Sequence, residues 1–127
     1  MAAGKYNFIV EQGSQHEVTL RYKLSNGSYQ DLTGWRARMS VKDHITDTDY
    51  VYRATSDSTL DTNYAQDFTI LTQQDSDVGK FTLTIPVATT TNFTFGQGVY
   101  DLELVDGTNV VYRLLEGKFK IKPQVSE

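Results

Sequence analysis

The sequence predicts an all-β, two-layer antiparallel sandwich. Three observations predict it: a period-two alternation of apolar and polar residues, a strand-favouring composition, and short polar intervals with turn chemistry between apolar runs. Eight Tyr, six Phe and one Trp stand against only two Pro in 127 residues. Aromatic residues suit a pleated, half-buried surface, whereas Pro would remove ladder donors. A single domain over residues 1–127 is expected, able to bury roughly two-thirds of the surface its unfolded chain exposes.

Tyr6, Phe8 and Val10 alternate with Lys5, Asn7 and Ile9, which makes a first strand with one buried face. Val18, Leu20, Tyr22 and Leu24 alternate with Glu17, Thr19, Arg21 and Lys23 to make a second. Trp35, Ala37, Met39 and Val41 alternate with Arg36, Arg38, Ser40 and Lys42, so the third strand has one apolar and one basic face. Strands at 50–53, 68–72, 81–85, 99–105 and 110–121 bring the count to about eight. The last is long enough to bend or to carry a bulge at Gly117. Asn26-Gly27 and Asp106-Gly107 lie between apolar runs as hairpin turns. After Pro86 the run from Val87 to Phe93 loses the alternation and reads as a crossover with one helical turn. Residues 43–49 and 54–66, rich in Asp, Thr and Ser, form the two longest loops. Alternation places Phe8, Leu20, Trp35, Ala37, Met39, Phe81, Leu83, Tyr100, Leu102 and Leu104 in the core.

One local pattern is more specific. In immunoglobulin-like sandwiches a core Trp on the third strand faces a disulfide, and a Tyr two positions before the second Cys folds its hydroxyl back onto nearby backbone. Here Trp35 would be that Trp, Leu20 and Leu102 would take the cysteine places, and Tyr100 would make the corner. Any other β-sandwich also needs a Trp and a Tyr somewhere, so the pattern leaves both readings open.

Sixteen acidic against twelve basic residues give a net charge of −4. That sign is wrong for a protein whose affinity comes from neutralising phosphates, so no nucleic-acid partner is expected. The absence of Cys removes disulfides, thiolate metal sites and cysteine nucleophiles. The opening MAAGKYNFIV lacks the apolar run of a secretory signal, and no segment approaches the ~20 apolar residues of a membrane helix. Synthesis in a cytosol and no membrane partner are therefore expected. Asn26-Gly27-Ser28 and Asn92-Phe93-Thr94 match the glycosylation sequon, which carries no weight without such a signal.

No catalytic constellation emerges. His16 and His44 have no His-Glu-x-x-His spacing, and Gly96-Gln97-Gly98 precedes a strand where phosphate binding requires a helix. The carboxylates alternate outward on strands or sit in turns, as solvated acids do. Asp43, His44, Asp47 and Asp49, or Asp57 and Asp61, bring oxygen ligands close together, but calcium takes about six to eight oxygens in regular spacing. Hydrated acidic loops are the expectation, with no metal and no cofactor, and Asp75-Ser76-Asp77 before Gly79 reads as a turn. Tyr29, Tyr50, Tyr52 and Tyr64 cluster around the loops. Such tyrosines cover a sheet face, or stand exposed to anchor a protein partner or stack on a sugar; on the second alternative Tyr50, Tyr52 and Tyr64 are the candidate contacts.

Three segments, AGKYNFIVEQG, DLTGWRARMSVKD and VYDLELVDGTNVVYRLLEGKFKI, resemble small virion structural proteins of tailed bacteriophages, T4-like phages of cyanobacteria among them. The distinctive pieces are Glu11-Gln12-Gly13, Asp31-Leu32-Thr33-Gly34 leading into Arg36-Ala37-Arg38-Met39, Tyr100-Asp101-Leu102-Glu103, and Arg113-Leu114-Leu115-Glu116-Gly117. Trp35 departs from the Tyr often found there, and residues 43–67 match little. Related immunoglobulin-like domains occur at the start of some phage baseplate proteins. The resemblance implies an immunoglobulin-like sandwich that serves as an assembly part, without catalytic residues or cofactor. Its expected place is the virion, most naturally the tail or baseplate, after synthesis in the host cytoplasm. Its expected partners are other virion proteins and repeated copies of itself, as a homo-oligomer in the particle. A capsid head-decoration protein and a receptor- or carbohydrate-binding module are the alternatives. Lys118, Lys120 and Lys122 alternate along the long last strand, expected at an open sheet edge; there they would either guard the edge or meet an acidic neighbour.

Overall fold

The structure, a computed structural model, describes residues 4–123, so the ends of the expected 1–127 domain lie outside the described residues. The first alternating run forms two short strands, β1 (Gly4–Lys5) and β2 (Phe8–Glu11). There follow β3 (His16–Arg21), β4 (Arg36–Lys42), β5 (Tyr52–Thr55), β6 (Phe68–Ile70), β7 (Lys80–Ile85), β8 (Gln97–Val105) and β9 (Val111–Lys122). One helical turn, α1 (Val87–Thr91), carries the chain from one sheet to the other, where the sequence after Pro86 predicts it. Among the described residues no helix is long and apolar enough to cross a membrane.

Six strands form one sheet in the order β1-β9-β8-β4-β5, with β2 also beside β9, and three form the other in the order β3-β7-β6. Apart from the N-terminal strands, which join the large sheet, this is the immunoglobulin-like layout, with one extra strand beside the third as in variable-type domains. The expected all-antiparallel pairing needs one correction, because β1 and β2 run parallel to β9. Between the sheets lie Phe8, Val10, Ala37, Met39, Phe81, Leu83, Leu102, Leu104 and Phe119, each essentially inaccessible. The alternation read from the sequence is thus the alternation of the core.

Leu20 and Trp35 are only partly buried. Leu20 sits on β3, an outer strand of the small sheet, which covers its apolar face less completely than β7 does. Trp35 precedes β4 and stacks on Tyr112, with ring centroids 5.3 Å apart and planes at 22°, while Tyr22 lies 6.4 Å away. It therefore caps one end of the sandwich and does not occupy the centre. Tyr100 is no local corner either: its hydroxyl donates to the Tyr6 carbonyl at 2.6 Å, across 94 residues of sequence.

That hydrogen bond explains the break between β1 and β2. The Asn7 side-chain oxygen accepts the Lys118 N–H at 3.0 Å, and Tyr6 donates its N–H to the Glu116 carbonyl at 3.0 Å. The N-terminal backbone presses so close to β9 that a Cβ on Gly117 would lie 2.2 Å from the Tyr6 carbonyl oxygen. Gly117 is there for close approach and not for a bulge; the extra residue is Leu114, since Leu102 faces Leu115 and Glu103 faces Arg113. β9 lies between β8 and the β1/β2 pair, so Lys118, Lys120 and Lys122 stand on an exposed face and not along an open edge.

Replacing Gly117 with Ala should destabilise the fold by about 1–3 kcal/mol through backbone overpacking. Gly96→Ala, where nothing lies within 4 Å of the added methyl, should stay within about 0.5 kcal/mol of the parent. Urea denaturation midpoints of the two variants check both.

Candidate functional site

The outer face of the six-stranded sheet is built by the polar half of the alternation. Arg38, Ser40 and Lys42 of β4 pair across to Glu103, Asp101 and Val99 of β8, and Asp101 and Val99 pair in turn to Glu116 and Lys118 of β9. These side chains line a shallow concavity of about 600 Å³, with Ile45, Tyr50 and Tyr64 on its wall.

Ile45 and Tyr50 come from the connection between β4 and β5, and Tyr64 from residues 56–67, which fold back over the edge of β5. Backbone bonds tie the return: Thr55 N–H to the Ala65 carbonyl at 2.8 Å and Ala65 N–H to the Arg53 carbonyl at 2.9 Å. The anchor is Asp61, only 7% exposed. Its Oδ2 accepts Arg36 Nε at 3.0 Å and the Thr55 hydroxyl at 2.7 Å, and its Oδ1 lies 3.4 Å from Arg38 Nη1. Asp61 is therefore not the hydrated loop acid expected from sequence but a buried carboxylate under two guanidinium groups. Asp57 does behave as a turn residue, accepting the N–H and hydroxyl of Thr59.

The tyrosines divide. Tyr52 is 7% exposed and its hydroxyl donates to Asp67 Oδ2 at 2.5 Å, so it is no surface contact. Burial pushes the Tyr52 hydroxyl up, and burial likewise raises the Asp67 carboxyl against the lowering effect of the Tyr52 bond. Tyr50 and Tyr64 instead hold Arg53 between them, with the guanidinium carbon 3.8 Å from the first ring centre and 4.3 Å from the second. Lys42 Nζ lies 5.0 Å from the Tyr50 ring. Tyr29 belongs elsewhere, against Arg21 on the small sheet.

Each carboxylate on the face has a cation. Glu103 accepts Arg38 Nε at 2.7 Å, Asp101 lies 3.7 Å from Arg113, and Glu116 pairs with Lys5. Burial, then the neighbouring Glu103, pushes the Asp101 carboxyl up against the pull of Arg113 and Arg38. The hydrogen bond from Lys5 holds Glu116 down. Lys42, Arg53 and Lys118 have no acidic partner among the described residues, although the whole chain carries −4. The basic face of β4 and the tyrosines of this site are legible in the sequence, but the burial of Asp61 under two guanidinium groups and the stacking of Arg53 are not, since no spacing rule signals either. Lys120 and Lys122 stand exposed beyond the concavity, with Lys122 3.8 Å from Glu11.

Of the other candidates, Asp43, His44 and Asp47 bring ligand atoms within 4.8 Å of one another on an exposed loop. The Asp47 carboxylate accepts the His44 N–H at 3.0 Å, an ordinary loop-closing bond. His16 packs edge-on against Phe8 at 6.0 Å, and burial lowers its pKa.

No protein-family model matches the chain, and no curated protein sequence matches it. Extracellular domains 3–5 of Drosophila OTK form a solved structure that is similar over 91% of this chain, at 14% identity and a TM-score of 0.35. The chain spans 32% of that structure's length, and so distant a likeness assigns neither family nor function.

Removing one partner of a buried ion pair strands the other. Asp61→Ala should therefore lower stability by about 2–4 kcal/mol, whereas Lys122→Ala, an exposed pair, should cost under about 0.5 kcal/mol. Chemical denaturation of the two variants compares them directly.

Proposed function

We propose that the chain is a non-enzymatic structural component of a tailed-phage virion, placed in the tail or baseplate and present there in repeated copies. The observation that carries this reading is the outer face of the six-stranded sheet, whose acids are held in ion pairs while Lys42, Arg53 and Lys118 are left over. Carboxylates tied to guanidinium and ammonium groups act as structural charges, and they do not converge as a pair on an open point as hydrolytic chemistry would need. Surplus cations beside exposed aromatic and aliphatic side chains suit a protein partner, since Tyr and Arg anchor such interfaces.

A sugar-binding reading is weaker on this geometry, because Arg53 already covers a face of both Tyr50 and Tyr64. The resemblance to phage virion proteins in the segments around Arg36, Tyr100 and Arg113 supports the virion as the place of assembly, with synthesis in the host cytoplasm and other virion proteins as partners. Among the described residues β3 pairs only with β7, which leaves its far side available for a neighbour's strand.

Mass spectrometry of purified particles tests the reading. Peptides of this chain in tail or baseplate fractions are expected. Their absence from the particle overturns the proposal, and their recovery from the capsid shell alone replaces the tail assignment with head decoration.

A further inference from the structure

We propose that the outer face of the six-stranded sheet docks a second copy of this chain, in a two-fold dimer where residues 43–49 of each copy seat on the Lys42, Arg53 and Lys118 patch of the other. The inference deepens the assembly reading and rests on it.

The argument starts from charges that lie side by side without pairing. Lys42, Arg53 and Lys118 form no ion pair with any acid of the chain among the described residues. Beside them the loop between β4 and β5 carries Asp43, Asp47 and Asp49. The first two come near only His44, at 3.9 and 3.8 Å, and Asp49 has no ionic partner among the described residues. The loop that brings Ile45 to the concavity thus carries three anions with no Lys or Arg partner, and the adjoining face carries three cations with no acidic one. A surface that carries both halves of a charge match is self-complementary, which is the condition for an isologous two-fold contact.

The patch also has an apolar centre. Ile45, at the tip of the acidic loop, is 78% exposed and lines the same concavity as Tyr50, itself 41% exposed. Exposed aliphatic and aromatic groups ringed by opposite charges follow the anatomy of protein interfaces, where the apolar core is desolvated and the charged rim sets orientation. Arg53 is pre-ordered for such a role. Stacked between Tyr50 and Tyr64, with its Nε buried and without a hydrogen-bond partner, it loses little freedom on binding. An acidic segment of a foreign protein would match the cations equally well, but it would leave Asp43, Asp47 and Asp49 beside the interface unmatched.

Sedimentation equilibrium of the full chain at low and high salt tests the dimer, using the parent, Asp49→Lys, Lys118→Glu and an equimolar mixture of the two variants. Both positions are exposed. The parent should dimerise reversibly at low salt and dissociate as salt screens the pairs. Each variant alone should associate at least about tenfold more weakly, because it sets like charges opposite each other twice. The mixture should recover the parent's association, since a Lys at 49 then meets a Glu at 118 while the other half of the interface is unchanged. A parent that is monomeric throughout overturns the proposal, as do variants that dimerise like the parent or a mixture no tighter than its parts. Because only purified chain is measured, a monomeric result leaves the composition of the particle, and so the virion reading, untouched.

Discussion

Asp61 is the constraint on which the exposed face depends. A carboxylate taken out of water is tolerable only when opposite charge and hydrogen bonds replace its hydration. Arg36, Arg38 and Thr55 supply both. In return, the carboxylate pins residues 56–67 against the sheet, and that return places Tyr64 where it closes on Arg53. The same contact orients Arg38, leaving its Nε for Glu103. From one buried acid the chain gains the Tyr64 side of the concavity's wall, one of the two rings that stack on Arg53, and the charge order across β4 and β8.

The opposite flank depends on Gly117 in a comparable way. Without a side chain there, the Tyr6 carbonyl can approach β9, accept the Tyr100 hydroxyl and leave Asn7 to bond Lys118. The N-terminal segment thereby joins the large sheet in parallel instead of pairing with β3. That choice covers β9, leaves β3 unpaired on one side among the described residues, and brings Lys5 to Glu116. The two flanks together decide which strands are open to a neighbour and which are closed.

Much of this was legible in the sequence, for a reason that also explains the failures. Period-two alternation reports which face of a strand is buried, so Ala37, Met39, Leu83, Leu102 and Leu104 were placed correctly, and so was the basic face of Arg36, Arg38 and Lys42. Alternation is blind to where a strand sits in its sheet. Leu20 therefore looked like core although its strand is an outer one, and β9 looked like an edge although β1 and β2 cover it. It is equally blind beyond a strand's ends. Trp35 shares the parity of the core residues yet precedes β4 and caps the sandwich. Tyr50 shares the parity of Tyr52, but the chain bends at Val51, so one ring is exposed and the other is buried. Asp61 was illegible for a different reason: its partners lie 25 and 23 residues away, and one Asp among many in a polar loop carries no mark of them.

Physically, the sandwich presents two different surfaces. The small sheet shows hydroxyls, with Thr19 and Thr82 hydrogen-bonded across strands, whereas the large sheet shows organised charge beside exposed apolar side chains. The second is the surface we propose for docking, and amine footprinting of intact phage particles tests that proposal most directly. Lys42 and Lys118 should be protected from an amine-reactive reagent in the particle relative to the dilute isolated chain, while Lys23, exposed on the other flank, stays reactive in both. Equal modification of Lys42 and Lys118 in the particle and in the isolated chain would contradict the account.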